Sequence, residues 1–208
     1  MPEKSPNARL EAFCDGVFAI ALTLLIIDIK APSSSAITST AALWHALQSI
    51  LPSVFAFLLS FAIIFITWMN HHSIFQSINK SSGAFIYSNA FLLLTVVFIP
   101  FPTALLGSYL LTDHAAPAVV IYNAVIALQA IGWILFCGVA LRDRLTKDTA
   151  AASTLRTSYR NAWLSLVLYS GLAVVAVWFP QPIAAVTTLT WIFWLVFGLF
   201  TLKAAAAG

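Results

Sequence analysis

Residues 9–29, RLEAFCDGVFAIALTLLIIDI, constrain the fold more than any other stretch of the chain. From Val17 to Ile27 nearly every side chain is apolar, yet Arg9, Glu11 and Asp15 stand in the two turns before it. Ionisable groups at the end of a helix in lipid are costly unless they are paired, buried in protein or facing water. The stretch therefore reads as a membrane helix that borders a path. Composition agrees: 61% of the 208 residues are hydrophobic and 8% are charged, where a soluble domain has about 25% charged. An ordinary core cannot bury that much apolar surface, so lipid is the solvent for most of it. The net charge of +3 is small and its cations sit in loops, not on one recognition face, which excludes nucleic acid as a partner.

A spanning helix needs about 20 mostly apolar residues, and six segments qualify, at about 10–29, 44–69, 84–107, 117–141, 161–179 and 183–203. Pro52, Pro100 and Pro102 are expected to kink or end helical turns, because proline lacks a donor and crowds the preceding turn. There is no internal repeat and no composition break, so residues 1–208 read as one all-α transmembrane domain. No small-residue cleavage site follows the first apolar segment, so no removable signal is expected.

Six crossings put both termini on one side. That side collects Lys4, Arg9, Lys80, Arg142, Arg144, Lys147, Arg156, Arg160 and Lys203, and the other has only Lys30. Cations concentrate in cytoplasmic loops, so both ends are expected in the cytoplasm of a multi-pass protein of the plasma membrane. The stretch 142–160 reads as the main cytoplasmic loop, first of all a solvated topological anchor, with partial helix and contact with anionic headgroups as the alternative.

At about 100° per residue, Ile20, Leu24 and Ile27 share one stripe of the first helix, with Phe13 and Val17 near it. Asp15 lies about 140° from Ile20, with Glu11 one turn before it on the far side. If the aliphatic stripe faced a pore, Asp15 would face its own subunit or a neighbour, as a structural acid and not an ion ligand. By pattern alone the stripe reads as plain lipid-facing or packing surface, since aliphatics recur throughout membrane helices. Thr23 can return its hydroxyl to the carbonyl one turn back. The second segment ends TWMNHHSIF. Adjacent His71 and His72 diverge by about 100° and make a poor zinc chelate, so no metal is expected. A better use is that one of them, with Trp68 or Asn70, satisfies Asp15, and Asn89 could join. Asn123 and Gln129 are expected to hydrogen-bond between helices. Cys14 and Cys137 read as buried free thiols.

No TVGYG-like filter, arginine-striped sensor, phosphate-binding loop, GxSxG or HExxH occurs, so neither a carbonyl filter nor a catalytic constellation is present. The chain is not an enzyme on this reading.

The run from Arg9 through Phe13, Cys14 and Asp15 resembles the R-x-x-x-F-S-D signature of the transmembrane protein 175 family, supported by Trp68 and Asn70-His71-His72. The resemblance implies a potassium channel without a conventional filter, a homotetramer of six-helix subunits in membrane lipid. The first helix would line the pore, with potassium ions as permeant species and no cofactor. It implies that Ile20, Leu24 and Ile27 form an apolar constriction that blocks ions by dewetting, with weak selection of potassium over sodium by dehydration. It also implies a structural polar network of Arg9, Asp15, Trp68, Asn70 and one or both of His71 and His72. Cys14 departs from the family's serine, and a thiol is the weaker hydrogen-bond partner. The rival is a secondary transporter of a cation or small solute, which midplane acids or an inverted repeat would favour. Asp15 and Asp28 both lie near segment ends.

Overall fold

Prolines and short polar caps divide the apolar segments into eight α-helices in the computed structural model, which describes residues 7–206 of the backbone and residues 7–196 of the side chains. The first segment is α1, Ala8–Leu24, tightening into a 3₁₀ turn over Leu25–Asp28. Ile27 therefore sits in that turn and not on the α-helical wheel. The second segment is two helices. α2, Thr40–Ser49, is capped by Ser39, whose hydroxyl accepts the Ala42 N–H at 3.1 Å. α3, Leu51–Gln76, carries Pro52 in its first turn, where a missing N–H costs nothing. α3 runs past the expected end at residue 69, so His71 and His72 lie within the helix.

Pro100 splits the third segment into α4, Gly83–Phe98, and α5, Pro100–Tyr109. α6 is Ala115–Arg142, the central and most buried helix. α7, Thr149–Val175, starts inside the expected cytoplasmic loop, because Asp148 accepts the Ala151 N–H at 2.7 Å and nucleates a turn there. Only residues 143–148 remain as connection. α8 is Pro180–Ala206.

Four units are long and apolar enough to cross a bilayer: Ala8–Asp28, Thr40–Gln76, Gly83–Tyr109 and Ala115–Arg142. α7 is long enough, but its first turns are the polar stretch 149–160. The described apolar part of α8, Pro180–Val196, is shorter than these four.

Lipid offers no hydrogen bonds, so buried polar groups must find one another. Hydroxyls of Thr103 and Ser60 lie 2.6 Å apart, and Ser60 lies 2.8 Å from the Tyr122 hydroxyl, a chain joining α5, α3 and α6. Thr187 of α8 donates to Asn123 Oδ1 of α6 at 2.9 Å. Asn123 is thus an interhelical residue, as its position in the sequence suggested.

At one end of the bundle the α3–α4 and α6–α7 connections pair as a short bridge: Asn79 N–H donates to the Leu145 carbonyl at 2.9 Å, and Lys147 N–H to the Ser77 carbonyl at 3.0 Å. The bridge follows a left-handed cap. Arg144 has φ 52°, and Leu145 N–H reaches back to the Ala140 carbonyl at 3.0 Å, a helix ending that glycine usually supplies. Ser82, the cap of α4, donates to Asp143 at 2.6 Å. The Arg142 guanidinium, followed by that hydroxyl, holds the Asp143 carboxyl below the usual carboxylate range. The bridge gathers Lys80, Arg142, Arg144 and Lys147 at one end. Lys4 and the Lys203 side chain, which also entered the topology argument, lie outside the described residues.

α3 and α5 cross closely at Gly107, where an added Cβ would lie 2.8 Å from Ser53 Cα. Because that neighbour is backbone, relief requires the helices to separate. Gly107→Val is expected to cost about 1–3 kcal/mol through overpacking, read as a lowered thermal midpoint of the purified protein. Gly171→Val, where nothing lies within 4 Å, should leave the midpoint within a degree or two, apart from a small helix-propensity term.

Candidate functional site

α1 has two unlike edges. Cys14, Phe18, Ala21 and Leu25, spaced by four, three and four residues, are fully buried against the bundle. The opposite edge carries Phe13, Ile20, Leu24 and Ile27, and the last three are 60%, 37% and 64% exposed. The subunit does not cover its own aliphatic stripe. Thr23 donates to the Ile20 carbonyl at 2.9 Å, so its hydroxyl is used locally.

What holds α1 in that rotation is a row of polar contacts to the last turns of α3 and the start of α4. Trp68 Nε1–H donates to Asp15 Oδ1 at 2.8 Å. Asn89 Nδ2 donates to Cys14 Sγ at 3.1 Å, and Asn89 Oδ1 lies 2.8 Å from His71 Nε2. An amide oxygen only accepts, so His71 carries its hydrogen on Nε2 in this arrangement. His72 Nδ1 lies 3.1 Å from Glu11 Oε1 without the alignment of a hydrogen bond, so the attraction depends on His72 being charged. The other ring nitrogen of His72 lies 2.8 Å from Gln76 Nε2. Aromatic packing fixes these rings. His71 lies among Phe75, Phe18 and Phe136 with centroids 4.6, 5.2 and 5.4 Å away, and Trp68 stacks on His72 at 5.9 Å.

The divergence of the two histidines explains the division of labour. His72 reaches Glu11 of α1, whereas His71 bonds Asn89 of α4 and meets α1 only at the Phe18 ring; among the described residues Asp15 takes its side-chain hydrogen bond from Trp68. Arg9 and Asn70, expected in the same network, stand outside it. Both are exposed, and among the described residues no ion pair or hydrogen bond reaches either side chain. Asn70 points to a different cavity, one residue and a third of a turn away from His71. Glu11 and Cys14 are the members that the sequence reading did not place there. Their signal was available, since Glu11 stands one turn before Asp15 and Cys14 is adjacent to it. The Cys14 thiol takes up the role expected of a serine hydroxyl, as acceptor for Asn89.

An all-helical bundle with four units long and apolar enough to cross a membrane is the fold of a membrane protein, and the proteins it resembles are channels. The family model described as "Endosomal/lysosomal potassium channel TMEM175" matches residues 9–100. A potassium channel of Chamaesiphon minutus is 39% identical over 193 residues, 90% of this chain and 94% of its own length. A potassium channel of Streptomyces collinus is 39% identical over 185 residues, 86% and 87% of the two chains. The crystal structure of a lysosomal potassium-selective channel TMEM175 homologue from Chamaesiphon minutus superposes with a TM-score of 0.78 at 37% identity, covering 93% of this chain and 98% of that one. The chain belongs to the TMEM175 family.

Asn89 is the shared partner of His71 and Cys14, so its loss strands a buried donor. Asn89→Leu is expected to cost about 1–3 kcal/mol, seen as a fall in thermal midpoint, whereas Cys14→Ser, which keeps an acceptor in place, should hold or raise it. An unchanged midpoint in Asn89→Leu would remove the network from the account of how α1 is held.

Proposed function

We propose that this protein conducts potassium ions across a membrane through a path bordered by the α1 helices of four copies. The observation that carries the reading is the two-edged α1. One edge is latched to α3 and α4 by Asp15, Cys14 and Glu11. The other leaves Ile20, Leu24 and Ile27 uncovered by the subunit. Relatives named potassium channels, alike over nearly their whole length, support the ion and the class of activity.

On this reading Ile20, Leu24 and Ile27 form rings around the axis. A narrow apolar ring has no groups to replace an ion's water, so it empties of water and blocks flow until it widens. A larger cation loses water at less cost, so potassium passes in preference to sodium with modest selectivity. No cofactor takes part beyond the permeant ion. The roles of Asp15, Trp68, His71 and His72 are structural: they set the rotation of α1, and Arg9 and Asn70 contribute nothing to that latch. The subunit crosses the bilayer six times, with both termini in the cytoplasm and the protein in the plasma membrane. The gathering of Lys80, Arg142, Arg144 and Lys147 at one end, with Lys30 beyond the other end of α1, supports that orientation.

Ile20→Asn tests the constriction. A carboxamide at the ring offers oxygen to the ion and keeps the passage wet. Potassium flux into proteoliposomes should rise about tenfold, a barrier change of about 1.4 kcal/mol, and the preference over sodium should fall. Unchanged flux and selectivity in a well-assembled variant would overturn the assignment of the constriction to α1.

A further inference from the structure

Away from α1, a cavity of about 370 Å³ opens between α3, α6, α7 and α8. Its walls are mainly aromatic and aliphatic, with Phe65, Trp133, Trp191 and Trp194 prominent. One side is polar. Ser158, Asn161 and Ser165 line it from α7, at spacings of three and four residues that place them on one helix face. Opposite stands Gln129 of α6, 3% exposed, whose Nε2, against the expectation of an interhelical bond, has no hydrogen-bond partner among the described residues. Among the described residues, no charged side chain and no residue of α1 lines the space.

A buried amide N–H without an acceptor is a standing cost that a suitable ligand removes. The walls decide the rest of its chemistry. The volume is at the small end of the roughly 300–1,000 Å³ usual for small-molecule pockets. With no countercharge on the described walls, an ionised occupant would lose its hydration for nothing in return. We propose that the cavity binds an uncharged, largely apolar molecule bearing a carbonyl-type acceptor, which receives a hydrogen bond from Gln129 Nε2. The ester carbonyl and upper chain of a bilayer lipid meet that description, and so does a free lipophilic ketone or ester. The site lies off the ion path and stands whether or not the potassium reading does.

Benzophenone is a fitting probe, being uncharged, aromatic and a ketone. Under near-ultraviolet light its carbonyl oxygen takes hydrogen from a C–H within reach and the two carbons then join, so the adduct retains the whole mass of the probe. The full chain in phospholipid nanodiscs is irradiated with increasing benzophenone, and adducts are mapped by peptide mass. Saturable labelling at Met69, Ile126 or Leu195 is expected. Gln129→Leu should lower it at least fivefold while leaving the thermal midpoint equal to or above that of the parent, which shows that the fold is intact. Weaker labelling in diester than in diether phospholipid assigns the site to a bilayer lipid, and equal labelling in both assigns it to a free ligand. Labelling that is absent, that does not saturate, or that is unchanged in Gln129→Leu overturns the proposal.

Discussion

The rotation of α1 about its own axis is the setting on which the rest depends. A helix this apolar has little intrinsic preference for which side it turns inward, because its own lipid-facing and protein-facing side chains are chemically alike. The choice is made by a few polar atoms. Asp15 is part-buried near the end of its segment, and Trp68 donates to it. Asn89 takes the thiol and the imidazole together. Once those contacts form, Phe18, Ala21 and Leu25 are carried into the bundle, and Ile20 and its neighbours are left facing out. The polar latch and the apolar stripe are two consequences of one rotation.

The latch is only as firm as the helix ends that present it. His71 and His72 sit in the closing turns of α3 and Asn89 in the second turn of α4. The connection between these helices is pinned to the α6–α7 connection by two backbone hydrogen bonds, and Ser82 is tied to Asp143. Irregular backbone at the end of the bundle thereby becomes a rigid frame. The left-handed Arg144 is the one strained residue in that frame, and the buried Leu145 that follows it anchors the turn.

Away from the latch, the aromatic rings around His71 extend to Trp133, 6.4 Å from the imidazole, and Trp133 is also a wall of the cavity beside Gln129. The two regions are therefore neighbours in one packed layer.

Much of the architecture was legible in residue order. The apolar segments, the prolines that break them, the opposite settings of Asp15 and Ile20, and the bonding of Asn123 and Thr23 all follow from local periodicity and from the intolerance of lipid for unpaired polar groups. The R-x-x-x-F-x-D run carried the family. Residue order could not tell which side chain answers Asp15, that Glu11 and His72 meet, that Arg9 and Asn70 stand apart, or that α7 starts within the expected loop. Those outcomes rest on approaches of 2.8–3.1 Å between residues up to 75 positions apart, and on a cap that extends a helix through polar sequence. Periodicity determines which face of a helix is polar. Only the packed arrangement of several helices decides what that face meets.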